Sequence, residues 1–201
     1  MIVLGIDPGT ATTGYGVVRG DGVAAPVLVE CGVIRTKPRD PLAQRLREIH
    51  DGVRELIQRH RPDVLSVEDV FYSKNVRTTV VLGHARGVIL LAGAEAGLDV
   101  HEFPPAEIKK AVAGTGAATK EQVQFMLTRL LRLKAVPQPS DAADGVAAAL
   151  TYAMSARVPR LATHGTRDAR VAAPAPVRAL PQPARVAPAV PGITRKGANE
   201  S

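Results

Sequence analysis

The sequence is poor in aromatic residues and contains a single cysteine. Of its 201 residues, six are Phe or Tyr and none is Trp, so the core has to be built mainly from Val, Leu, Ile and Ala. Cys31 has no second cysteine with which to form a disulfide or share a metal ion, and is expected to be a small buried side chain. No apolar run approaches the roughly 20 residues of a membrane span, and the first residues do not resemble a secretory signal. The expected location is the cytoplasm.

Positive charge is concentrated near the C-terminal end. The net charge is +7, and residues 158–201, with seven Arg or Lys against two acids, account for +5 of it. A basic balance favours a polyanionic partner such as nucleic acid. Residues 158–201 are rich in Pro, Ala and Arg without apolar periodicity, and are predicted to be a disordered basic tail that either contacts phosphates weakly or only aids solubility. Residues 1–157 are predicted to form one folded domain.

The residues before the tail predict an α/β domain. Short β-branched segments at 2–7, 14–18 and 26–35 predict an antiparallel meander. Further along the chain, apolar patterns predict strands at 63–69 and 98–103 and helices at 42–60, 78–97, 106–112, 120–133 and 141–156. A meander followed by alternating helices and strands predicts a five-stranded mixed sheet flanked by helices, with the later strands parallel.

Four carboxylates stand where the edge of such a sheet would bring them together. Asp7 ends the first predicted strand and Glu68 ends the fourth. Asp141 and Asp144 share one face at the start of the last helix, with Ser140 as the predicted N-cap, although helix capping alone would also account for this pair. Carboxylates suit Mg²⁺ or Mn²⁺, and two such ions about 4 Å apart can activate water for phosphodiester cleavage. The four acids therefore predict a metal-dependent hydrolytic site.

The segments that carry these acids resemble the RuvC family of Holliday junction endonucleases. The matching segments are GIDPGT with Asp7, VEDVFYSKN with Glu68, GHARGVILLAGAEAG, IKKAVAGTGAATKEQVQFML, and SDAADGVAAALTYA with Asp141 and Asp144. The resemblance covers residues 1 to about 156. It implies a ribonuclease-H-like fold, a homodimer, and paired incisions near the crossover of a four-way DNA junction with Mg²⁺ or Mn²⁺, two ions per site. It also implies the branch-migration proteins RuvA and RuvB as partners.

The resemblance further implies roles for basic and aromatic residues. Lys109 and Lys120 match positions that the family uses at the active site or in DNA binding, and Phe71 matches an aromatic that stacks on junction bases. Lys120 begins a helix after the Gly-rich GTGAAT, where backbone N–H groups and a cation can hold phosphate and steady negative charge. A merely solvated lysine is the alternative there and at Lys109. The same loop as Phe71 supplies further predicted DNA-backbone contacts: Lys74, Asn75 and Arg77.

The helix predicted at 78–97 is rich in small residues. These are Gly83, Ala85, Gly87, Ala92, Gly93, Ala94 and Ala96. They predict a face on which two helices can pack closely, while the larger residues would cover the sheet of the same chain: Val80, Val81, Ile89, Leu90 and Leu91. A dimer formed through this helix would match the approximate two-fold symmetry of a junction.

Three other functions stay open on the sequence alone. The segment GIDPGTATTGYGVV is similar to the phosphate-binding hairpin of actin-like ATPases and sugar kinases, but those proteins are about twice as long and no second phosphate loop follows. A ribonuclease-H-like nuclease acting on structured RNA would use the same acids, although the downstream basic and aromatic residues favour junction DNA. A non-catalytic junction-binding module is disfavoured because all four acids are present.

Overall fold

The computed structural model describes residues 1–20, 25–69 and 76–155. The elements are β1 (Ile2–Asp7), β2 (Thr12–Arg19), β3 (Val27–Arg35), α1 (Leu42–His60), β4 (Val64–Glu68), α2 (Val76–Glu95), β5 (Asp99–Phe103), α3 (Pro105–Ala113), α4 (Lys120–Leu130) and α5 (Ser140–Ser155). The predicted order of strands and helices is confirmed, with bounds that differ by up to three residues. The predicted tail, 158–201, lies outside the described residues. Within the described segments, no helix is long and apolar enough to cross a membrane.

The five strands form one mixed sheet in the order β3-β2-β1-β4-β5. The meander β1–β2–β3 is antiparallel, whereas β4 pairs parallel with β1 and β5 parallel with β4. Ile6 of β1 is the register partner of Val67 of β4. Asp7 and Glu68, each one residue further along, therefore reach the same edge of the sheet.

Helices cover both faces of the sheet and create two apolar cores. Leu4 and Ile6 of β1 pack with α1 and α2 in one core, whereas Val3 packs with α3, α4 and α5 in the other. Because side chains alternate along a strand, Asp7 lies on the same face as Val3, towards α5. Cys31 is half-buried at the margin of the α5 core, and is less enclosed than predicted.

Glycines bring α5 unusually close to the sheet. A Cβ on Gly14 of β2 would overlap the backbone carbonyl of Asp141, and a Cβ on Gly16 would lie 2.5 Å from the Cα of Val146. In the opposite direction, a Cβ on Gly145 would lie 2.5 Å from the Cα of Tyr15. Real Cβ contacts are never this short, so backbone packs directly on backbone here. The first turns of α5 are thereby held beside the end of β1.

The predicted orientation of α2 is wrong in part: Gly83, Gly87, Ala94 and Ala96 are exposed as predicted, but three other small residues are not. Ala85, Ala92 and Gly93, which were assigned to an outward face, are buried against the sheet of the same chain. A Cβ on Gly93 would lie 2.6 Å from Leu65 of β4, so small residues allow α2 to approach the sheet. Ile89 points inward as predicted, but Val80 and Leu91 are more than half exposed. Because the apolar residues of α2 are spread around the helix, its pattern does not indicate which side is buried.

Candidate active site

The four acids come from three elements and meet at one edge of the sheet. Asp7 ends β1, Glu68 ends β4, and Asp141 and Asp144 lie in the first turns of α5. All four are half-buried. The helix α5 begins at Ser140 itself rather than after it, so the predicted N-cap is displaced by one residue. The convergence that strand order and helix position predicted is nevertheless present.

The electrostatics of Asp7 and Glu68 reflect this crowding of negative charge. Burial, followed by the charges of Glu68, Asp144 and Asp141 in that order, raises the pKa of Asp7 to about 8. Burial also raises the pKa of Glu68 to about 7, with Asp144 as the next cause. A carboxylate resists ionisation when it is desolvated among like charges. The site therefore favours any cation that can neutralise it.

Two lysines supply part of that neutralisation. Lys120 is the first residue of α4, and its Nζ donates to Oδ2 of Asp144 at 2.7 Å. Although burial opposes it, this hydrogen bond and the charges of Asp144, Asp141 and Asp7 raise the pKa of Lys120. Lys109, half-buried on α3, lowers the pKa of Glu68 by its charge. Both lysines that the family resemblance selected thus lie within electrostatic range of the acids.

Thr119 caps the N-terminus of α4, the helix that begins at Lys120. The Thr119 hydroxyl accepts from the N–H of Gln122, and the Gln122 side chain accepts from the N–H of Thr119, which is a complete capping box. The start of α4 is therefore well defined after the Gly-rich segment. This places Lys120 and the positive end of the α4 helix dipole beside the acidic edge.

The donor set fits hard divalent cations in its chemistry. Four carboxylates from three segments surround one region, and two of them, Asp7 and Glu68, carry raised pKa values because they are desolvated and lie near other carboxylates. In the part of the chain that the structure describes, no three potential ligands are yet grouped closely enough to hold one ion. Oδ2 of Asp144 is instead bonded to Lys120. A metal ion would thus compete with an internal ammonium group for this carboxylate.

The predicted DNA-contacting residues are only partly described. Arg77 lies in the first turn of α2 and is exposed. Lys109 and Lys120 lie on the side of the sheet that carries the acids. Phe71, Lys74 and Asn75 fall outside the described residues. Their assignment stays a prediction.

An arginine that sequence reasoning missed lies close behind Glu68. Arg86 of α2 is paired with Asp69, 3.2 Å away, and with Glu102 of β5. Asp69 is the residue after Glu68. The signal available in the sequence was an arginine within a mainly apolar helix, because such a charge needs a partner when it is partly buried.

Comparisons with known proteins agree on one family. The family model for the crossover junction endodeoxyribonuclease RuvC matches residues 3–152. The chain belongs to the RuvC family. A RuvC relative from Pelotomaculum thermopropionicum is 49% identical over 153 residues, which cover 76% of this chain and 93% of the relative.

Solved RuvC structures share the fold. The structure of Thermus thermophilus RuvC superposes with a TM-score of 0.73 at 40% identity, covering 78% of this chain and 96% of that one. The structure of T. thermophilus RuvC in complex with Holliday junction substrate gives a TM-score of 0.72 at 38% identity, with the same coverage. The predicted RuvC resemblance and ribonuclease-H-like α/β fold are therefore confirmed. The actin-like and sugar-kinase interpretation is not favoured.

Proposed function

We propose that this chain is a metal-dependent endonuclease that resolves Holliday junctions by paired, symmetric nicks in recombination and DNA repair. The observation that carries the proposal is the convergence of Asp7, Glu68, Asp141 and Asp144 at one sheet edge in a chain of the RuvC family. A T. thermophilus relative at 38% identity has been solved in complex with Holliday junction substrate, which supports the choice of DNA.

The metal ligands in this proposal are the four acids, and the ions are Mg²⁺ or Mn²⁺, two per site. When bound, such ions activate water and neutralise the charge that develops on a phosphodiester. Asp7 is best placed to bind because its burial and three neighbouring carboxylates make its charge costly in the absence of a cation. Lys120 leaves Asp144 and steadies the negative charge of the phosphate, and Lys109 counters the charge of Glu68.

Contacts to DNA extend outward from this edge. The N-terminus of α4 and Lys120 bind a backbone phosphate, because the positive end of a helix dipole and a cation together favour an anion. Arg77 and Lys109 add phosphate contacts. Lys74 and Asn75 bind the backbone and Phe71 stacks on a base at the crossover.

The proposed enzyme is a homodimer that pairs through the outer side of α2. Exposed apolar residues and two glycines with open space around them recur at helical spacing along this side: Val76, Val80, Gly83, Gly87 and Leu91. We call these residues the outer stripe of α2. An exposed apolar stripe of this length is typical of an interface, and a two-fold dimer would present two sites to one junction. Partners of the RuvA and RuvB kind and a cytoplasmic location belong to the same proposal.

The substrate is tested with a synthetic DNA four-way junction beside a matched duplex, a flap and an RNA four-way junction. Each is incubated with Mg²⁺, Mn²⁺ or EDTA. The proposal predicts symmetric nicks in the DNA junction alone, with either metal, and none in EDTA. Cleavage of the RNA junction in preference to DNA would support the structured-RNA alternative, and intact substrates under both metals would contradict the proposed enzyme.

A further inference from the structure

Arg86 connects α2 to the carboxyl ends of two parallel strands. Its Nη2 lies 3.2 Å from Oδ1 of Asp69, which follows β4, and it also pairs with Glu102 of β5. The Arg86 side chain is 26% exposed, whereas those of its partners Asp69 and Glu102 are 45% and 37% exposed. The guanidinium is therefore screened less by solvent and salt than the carboxylates that it contacts. The arrangement therefore holds one helix and two strand ends together at the edge that carries the acids.

Arg86 lies on the opposite side of the sheet from those acids. Val67 of β4 belongs to the core beneath α1 and α2, whereas the hydroxyl of Ser66 donates to a backbone carbonyl of α5. Since side chains alternate along a strand, Glu68 lies on the α5 side and Asp69 on the α2 side. Arg86 can therefore influence Glu68 only through the backbone.

The backbone around Glu68 is fixed by contacts that Arg86 reinforces. The N–H of Asp69 donates to the carbonyl of Phe103 at 2.8 Å, which extends the β4–β5 pairing one residue past Glu68. Glu102 is the strand partner of the residue before Glu68. Arg86 thus pairs with Asp69, the residue after Glu68, and with Glu102, the strand partner of the residue before Glu68. Because Asp144 repels the Glu68 carboxylate, a rigid backbone is needed to keep Glu68 in place.

We propose that Arg86 is a positioning residue for Glu68, which it holds in place for metal binding by joining Asp69 and Glu102. Both carboxylates contact the same guanidinium nitrogen, Nη2, and the planar guanidinium holds that nitrogen in a fixed direction, whereas a lysine ammonium is a point charge on a flexible stem. The inference rests on the proposed function, since that function makes Glu68 a metal ligand.

The test compares Arg86→Met, Arg86→Lys and Asp69→Asn with the control Arg59→Met. Arg59 is a matched control because its Nη2 also lies 3.2 Å from a strand carboxylate, that of Glu30, but at the other end of the sheet order. Four quantities are measured: Mn²⁺ affinity of the free protein by electron paramagnetic resonance, junction affinity in EDTA, single-turnover cleavage against Mn²⁺ concentration, and thermal unfolding.

We expect Arg86→Met to weaken Mn²⁺ binding and slow cleavage at fixed Mn²⁺ by about tenfold, the range seen when residues that orient a metal ligand are removed. Junction affinity should stay within about twofold, and excess Mn²⁺ should restore part of the rate. Asp69→Asn should lose Mn²⁺ affinity to the same extent. A protein that carries both Arg86→Met and Asp69→Asn should bind Mn²⁺ no more weakly than Arg86→Met alone, since both changes break one connection. The Mn²⁺ affinity of Arg86→Lys should lie between those of wild type and Arg86→Met. Arg59→Met should retain wild-type Mn²⁺ affinity.

Wild-type Mn²⁺ affinity in Arg86→Met would overturn the inference, and so would an equal loss in Arg59→Met, which would indicate a general loss of stability. If Arg86→Met does not fold, Asp69→Asn and Arg86→Lys decide in the same way. The Mn²⁺ titration needs no substrate. A wild-type protein that binds Mn²⁺ but leaves junctions intact would therefore refute the proposed function while still testing Arg86.

Discussion

At the scale of single residues, the acidic edge lowers the stability of the free protein and favours the binding of a ligand that neutralises it. Asp7 is desolvated next to three other carboxylates. The charge of Lys120 lowers the pKa of Asp7 but offsets these effects only in part. Groups held in an unfavourable environment are typical of sites that bind ligands, because the ligand relieves the cost. The free protein should therefore be less stable than one in which the site is neutralised.

We predict that Asp7→Asn stabilises the metal-free protein, and more so at pH 8 than at pH 5. The folded-state pKa of Asp7, about 8, lies above its ordinary value of 3.8. Between these values the native state holds a proton that the unfolded chain has lost, so native stability falls as pH rises through this window. Below this pH window the folded and unfolded states bind the same number of protons, and Asp7 no longer lowers the stability of the native state.

Thermal unfolding in EDTA across this pH range measures the effect as a difference between variant and wild type. Glu55→Gln, which changes an exposed acid on α1, is the control and should leave the pH dependence of wild-type unfolding unchanged. An Asp7→Asn protein that is less stable than wild type at pH 8 would contradict the electrostatic account of the site.

The positions of single residues could be predicted only in part. Asp7 and Glu68 were predictable because they end buried strands, whose carboxyl ends meet at one edge when the strands are parallel. The pairing of Lys120 with Asp144 spans 24 residues and depends on how α4 crosses α5. The pairing of Arg86 with Asp69 depends likewise on the path of α2. Neither contact has a periodic or local signal.

At the scale of elements, the close approach of α5 to β1 and β2 sets the geometry of the site. Gly145 lies directly against the backbone of Tyr15, so neither partner can move aside by rotating a side chain. This contact lies one residue after Asp144. Any displacement of α5 would therefore move two of the four acids away from the other two.

We predict that Gly145→Ala lowers the free energy of unfolding by at least about 2 kcal/mol, because overpacking against backbone has no low-cost relaxation. Gly52→Ala is the matched control on α1, where the atoms nearest to the added Cβ belong to the side chain of Ile34, at 2.9 Å or more. That side chain can shift, so the control should stay within about 1 kcal/mol of wild type. Denaturant unfolding compares the two, and equal effects would contradict the claim of backbone contact.

The strands and helices themselves were predictable because their apolar patterns have clear periods, and α1 is an example with one buried and one polar side. The orientation of α2 was not. Its apolar residues are spread around the helix, and the sequence does not show that Ala92 and Gly93 are needed where the helix approaches Leu65. Ala85, Ala92 and Gly93 were assigned to a partner helix although they pack on the sheet of the same chain, whereas Gly83 and Gly87 are exposed as predicted.

At the scale of the whole molecule, the proposed dimer should depend on the outer stripe of α2. Leu91→Glu places a charge in that stripe, where it would be buried without a partner in a dimer. Phe125→Glu is the control, because Phe125 is 57% exposed on α4, away from α2. Sedimentation at micromolar concentration should find Leu91→Glu monomeric and Phe125→Glu dimeric. A dimeric Leu91→Glu protein would place the interface elsewhere.

The most direct test of the central claim replaces each acid of the quartet by its amide, in four separate proteins: Asp7→Asn, Glu68→Gln, Asp141→Asn and Asp144→Asn. Single-turnover cleavage of a DNA four-way junction is measured with saturating Mg²⁺, beside junction affinity in EDTA. The account predicts that every variant binds the junction within a few-fold of wild type but cleaves at least about 100-fold more slowly, because metal ligands contribute several kcal/mol to the transition state. A variant that cleaves at close to the wild-type rate would contradict the assignment of its acid to the metal site.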